Sequence, residues 1–115
     1  MKLSYIAPAL VVLLILATIL GAQAVFPRMT SVEPATTKAG AEASVAGENL
    51  DKGNVTDVFL TDGQNDVKLQ ILEQAPTAIK FRVPTSAKPG RFSLMVLTST
   101  KPPRYIEQPV KLTVE

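Results

Sequence analysis

Beyond its first two dozen residues the chain alternates apolar and polar positions with period 2, the signature of strands buried on one face. Val67, Leu69 and Ile71 alternate with Lys68 and Gln70, Ile79, Phe81 and Val83 with Lys80 and Arg82, and Val110, Leu112 and Val114 with Lys111 and Thr113. Phe92 to Thr98 is a further strong strand, and weaker ones fit Thr30 to Glu33, Glu42 to Ala46 and Val55 to Leu60. The intervals, such as Pro34 to Gly40, Gly47 to Asn54, Asp62 to Asn65, Pro84 to Gly90 and Ser99 to Arg104, concentrate residues that preset or permit turn dihedrals. No segment after residue 24 sustains a 3.6-residue pattern. About seven short strands, with turn signals every 8 to 12 residues or so, predict an all-β, immunoglobulin-like antiparallel β-sandwich.

Residues 1–24 follow a different rule. Lys2 supplies a positive start, Ala7 to Leu20 a nearly unbroken apolar run, and Ala22-Gln23-Ala24 the small-x-small site that signal peptidase needs. This segment reads as an N-terminal signal peptide helix. The alternative is an uncleaved membrane anchor, because Leu3 to Val25 is free of charge and has roughly the 20 residues a span requires. The cleavage site, and the lack of a positive cluster beyond Arg28, favour the signal. Lipoprotein attachment is excluded, since the chain has no cysteine. The expected organisation is signal peptide 1–24, short linker 25–28 and one domain over 29–115. The domain is exported to the periplasm or extracellular space, and touches membrane only through residues 1–24 if these are retained.

Composition narrows the chemistry. Without Lys2 the 12 basic residues become 11 against 10 acidic ones, a net charge of +1. Scattered pairs of this kind do not form the basic face that nucleic acid requires, so no nucleic-acid partner is expected. With no cysteine, no disulfide holds the domain together, and burial alone must do so. The absence of His and Cys removes the commonest general base, the thiolate nucleophile and the usual soft-metal ligands. No catalytic residue, metal ligand or cofactor is therefore assigned.

The order of several landmarks resembles a known family. Val32-Glu33-Pro34, Gly40, Ser44 to Leu50 with Gly47 and Asn49, Val58-Phe59-Leu60, Ala78 to Pro84, and Pro89 to Leu94 succeed one another as in the IPT/TIG domain. The resemblance covers Met29 to Glu115. It departs from the family in the first turn, where the usual glycine pair is reduced to Gly40 between Ala39 and Ala41. It implies an immunoglobulin-like fold serving as a spacer or binding module, and it carries no catalytic residues. Physically, Gly47 reads as a close backbone approach, Asn49 as a turn residue bonding nearby backbone, and Pro84 as a strand stop.

Candidate binding chemistry is sparse. Asp51, Asn54 and Asp57 share one connection and Asp62, Asn65 and Asp66 another, but neither has EF-hand spacing and both are ordinary turn composition. Asn54-Val55-Thr56 is a formal glycosylation sequon. Sugar platforms are limited to Phe26, Phe59, Phe81, Phe92 and Tyr105, of which alternation buries Phe81 and Phe92.

Two strands break the alternation. If Phe92, Leu94 and Val96 point inward, Met95 and Leu97 point outward, and Phe59 does the same between Val58 and Leu60. Phe59, Met95 and Leu97, with Arg104 and Tyr105 nearby, form the candidate interaction surface. The expected function is a non-catalytic binding, adhesion or assembly module whose partner is another envelope or extracellular protein. The alternative is a glycan-binding module or accessory domain of a carbohydrate-active system, and a carboxylate-based hydrolase ranks last.

Overall fold

The computed structural model describes residues 26–115; the expected signal segment lies outside the described residues. Nine strands occur in chain order: β1 Arg28–Glu33, β2 Thr36–Thr37, β3 Glu42–Glu48, β4 Val55–Thr61, β5 Asp66–Lys68, β6 Gln70–Ala75, β7 Ala78–Arg82, β8 Gly90–Thr98 and β9 Tyr105–Val114. There is no helix among the described residues. The strands form a four-stranded sheet, β1-β3-β7-β6, and a five-stranded sheet, β2-β9-β8-β4-β5.

The inward phase of each alternating run supplies the core. Val45, Ile79 and Phe81 come from the first sheet and Val58, Leu60, Leu94, Val96, Leu112 and Val114 from the second, all buried in one cluster. Burial of apolar area on this scale is the main stabilising term for a domain without disulfides.

Nine strands replace the expected seven for two physical reasons. The run Val67, Leu69, Ile71 is not one strand. β5 ends at Lys68 in the second sheet and β6 begins at Gln70 in the first, with Leu69 buried at the crossing and its N–H donating to the Val58 carbonyl at 2.9 Å. Both sheets face the same interior, so alternation continues unbroken while the chain changes sheet. The second addition is β2. After Pro34 the chain leaves the first sheet, and Thr36 and Thr37 pair with Thr113 and Val114 in parallel, where a wholly antiparallel arrangement was expected. The remaining pairings are antiparallel.

Irregularities tie the layers together. An irregular step between Met29 and Ser31 brings β1 against Gly47 so closely that a side chain there would strike the Arg28 carbonyl oxygen and lie 2.9 Å from Met29 Cα. Asn49 takes a positive φ of 57°, and its side-chain amide donates to the Phe26 carbonyl at 3.2 Å, a partner on the incoming chain rather than within the turn. In β9 the register slips between Ser93 and Met95 of β8, which face Lys111 and Glu107. Within this slip Gln108 is 4% exposed, accepts from Met29 N–H at 2.7 Å and points its amide at the Pro27 carbonyl. One buried side chain thus joins β9 to β1 across the two sheets.

Candidate functional site

The expected outward residues lie together on the outer face of the five-stranded sheet. Lys68, Phe59, Met95 and Glu107 stand in one register row across β5, β4, β8 and β9, and Leu97 pairs with both Asp57 and Tyr105 in the next. The Phe59 and Tyr105 rings meet edge to face, with centroids 5.6 Å apart and planes at 63°, although β8 separates their strands. Phe59 pairs with Met95 and Tyr105 with Leu97, so the ring contact reaches diagonally across β8. Met95 keeps only 9% exposure, less than a freely outward residue would show, while Tyr105 remains 62% exposed.

Polar groups frame this apolar centre. Lys68 Nζ lies 3.3 Å from Asp57 Oδ1, and Lys111 donates to Ser93 Oγ. Arg104 is exposed in the turn just before β9, one residue beyond the paired rows. Its backbone closes the turn, with N–H donating to Thr98 Oγ1 and carbonyl accepting from Thr98 N–H, and it lines a small depression with Phe26, Lys101 and Pro102.

A second concave region was not anticipated from sequence. On either side of the β5–β6 crossing lie two open depressions of about 770 and 540 Å³, which share Lys68, Leu69 and Gln70 and so form one trough. Arg82, Val83 and Thr85 extend it on one side and Lys52, Thr56 and Gln74 on the other. Leu69 and Val83 are buried beneath the trough, so the surface a ligand meets is that of Lys68, Gln70, Arg82, Pro84 and Thr85. Arg82 makes a loose pair with Glu42 at 3.6 Å, with both groups nearly half exposed, so the guanidinium is available to a ligand at little cost. Gln74 already donates to the Leu50 and Val55 carbonyls, and its role is to hold the wall. The trough exists only because the chain changes sheet at Leu69, which period-2 patterning cannot register.

The acidic turns are occupied by local bonds. Asp51 accepts from the Asn54 amide at 2.8 Å. Asp62 Oδ1 accepts from the N–H groups of Asn65 at 2.7 Å and Gln64 at 2.9 Å. These two bonds, Asn65 first, hold the exposed Asp62 carboxyl below its ordinary value.

No protein-family model and no characterised protein matches this chain by sequence. Solved structures do match by shape. A Bacteroides thetaiotaomicron protein of unknown function superimposes with TM-score 0.65 at 17% identity, over 79% of this chain and 22% of its own. An auxiliary nutrient binding protein from Bacteroides ovatus gives 0.55 at 16% identity, over 79% and 21%. The SGBP-B protein of the Bacteroides ovatus mixed-linkage glucan utilization locus, in complex with a mixed-linkage heptasaccharide, gives 0.50 at 19%, over 70% and 20%. Other matches carry unrelated descriptions, so likeness at this identity fixes the fold and not the activity. The chain spans about a fifth of the length of each of these three proteins and shares with them one two-sheet, all-β unit.

Proposed function

We propose that this chain is an exported, non-catalytic glycan-binding module, an immunoglobulin-like sandwich of the IPT/TIG type whose residues 1–24 act as export signal. The trough beside Leu69 carries the reading. Pro84 and the aliphatic stems of Lys68 and Arg82 present apolar surface to the C–H faces of a sugar, and Lys68, Gln70, Arg82 and Thr85 offer the donors and acceptors that hydroxyl groups need. Each of its two depressions falls in the range of roughly 300 to 1,000 Å³ used by small-ligand sites. The likeness to a nutrient binding protein and to a protein seen with a heptasaccharide favours a glycan over other ligands.

The IPT/TIG assignment draws support from what its landmark residues do. Gly40 adopts a φ of 86°, Gly47 sits where a side chain would collide with β1, and Asn49 holds a left-handed turn.

Isothermal titration calorimetry with mixed-linkage gluco-oligosaccharides and a panel of other oligosaccharides tests the reading. Binding to at least one glycan is expected, weakened about tenfold by Gln70→Ala or Arg82→Ala through the loss of one or two hydrogen bonds, with the melting point retained. If no glycan binds at about 10 mM, the reading is wrong.

A further inference from the structure

The outer face of the five-stranded sheet carries a charge order that shares with the trough only Lys68. In one row Lys68 stands at the β5 side and Glu107 at the β9 side, with Phe59 and Met95 between them. In an adjacent row the signs reverse: Asp66 lies at the β5 side and Lys111 at the β9 side, with Thr61 and Ser93 between. All four charged residues are exposed. The face is thus an apolar centre inside a rim whose charges alternate from corner to corner.

We propose that this face docks a second copy of the same chain, an association that goes beyond the glycan-binding reading. Consider a two-fold axis lying in the face and parallel to the strands. It returns each row to itself with the ends exchanged. Lys68 of one copy then opposes Glu107 of the other, and Asp66 opposes Lys111, twice over. Phe59 opposes Met95, and Thr61 opposes Ser93. A two-fold axis across the strands would also match the charges, pairing Lys68 with Asp66 and Glu107 with Lys111. It would, however, set both Phe59 on Thr61 and Met95 on Ser93, apolar against hydroxyl, whereas the axis along the strands leaves one mismatch in the three rows, Leu97 against Asp57, whose carboxylate keeps its own pair with Lys68, so the axis along the strands is the better fit. The result has the make-up of an interface, an apolar centre with aromatic side chains and a polar rim that sets the register. Tyr105, with its exposed ring, adds to the buried area. Four strands and three rows cover roughly 20 Å on a side. That is small for a permanent interface, so the dissociation constant falls in the micromolar range rather than the nanomolar.

Sedimentation equilibrium of the purified protein, from about 1 to about 500 µM, is the test. The wild type is expected to shift from monomer to dimer across this range. Lys111→Glu should weaken the dimer at least about tenfold by placing two carboxylates opposite each other. Lys111→Gln, which also loses the bond to Ser93, should weaken it less. Adding Asp66→Lys to Lys111→Glu should restore dimer formation, since the two charges again oppose, whereas rescue by Glu107→Lys alone would place the axis across the strands and overturn the proposed geometry. Thermal melts of each variant confirm that the fold is retained. A wild type that stays monomeric at about 500 µM, or a dimer indifferent to Lys111→Glu, overturns the proposal. Gln70→Ala should leave association unchanged, which separates this result from the fate of the glycan reading.

Discussion

Replacing Gln108 with Met removes one polar group from the interior while nearly preserving volume, so the effect isolates a hydrogen bond. The side-chain oxygen of Gln108 is 2.7 Å from the Met29 N–H, and Met29 is fully buried. The other contacts of Gln108, at 3.5 Å to the Pro27 carbonyl and 3.4 Å to the Ile106 carbonyl, are long enough to count for little. The cost should therefore be that of leaving one buried backbone donor without a partner, about 1 to 3 kcal/mol, with a smaller gain from the apolar side chain in return. In a domain of about 90 residues this lowers the melting point by roughly 4 to 8 °C per kcal/mol. Urea denaturation measures it as a fall in the midpoint at constant slope. A loss below about 0.5 kcal/mol would mean that Met29 N–H reaches water after all and that Gln108 does not join the sheets.

Phe81→Ala empties a fully buried aromatic site and should destabilise by roughly 3 to 5 kcal/mol, read by the same denaturation experiment; a loss below about 1 kcal/mol would contradict the register of β7. The Asp62 turn should respond to acid. Its folded pKa lies below the ordinary 3.8, so its contribution is present above that value and is lost as pH falls through the folded one, seen as NMR shifts of the Gln64 and Asn65 amides that Asp62→Ala abolishes.

Much of this fold was legible because period-2 patterning reports which side of a strand meets the interior. Ile79, Phe81 and Val83 were read as inward from alternation alone and are fully buried. Alternation does not report which sheet a strand belongs to, and that is why the crossing at Leu69, and the trough it creates, were invisible. Gln108 was missed for another reason. It occupies the inward phase of the series Ile106, Val110, Leu112 and Val114, and a polar residue in that phase was the available signal of a buried bond. The outward set Phe59, Met95 and Leu97 came together as alternation required, but the 9% exposure of Met95 and the ring contact across β8 depend on side-chain reach between strands, which alternation does not report. Arg104 was grouped with Tyr105 by sequence adjacency, and its backbone closes the turn that leads into β9.

The attachment of β9 also governs when this domain can close as it is made. β9 pairs with β8, runs parallel to β2, and through Gln108 holds Met29, 79 residues earlier. Synthesis proceeds from the N-terminus, so β1 and β2 emerge long before the strand that secures them. Until Tyr105–Val114 arrives, the second sheet lacks the strand between β2 and β8, and the Met29 N–H has no acceptor. Contacts of such long sequence separation form late and slowly. The nascent domain therefore stays open until β9 has emerged, which leaves its apolar strands in need of protection meanwhile.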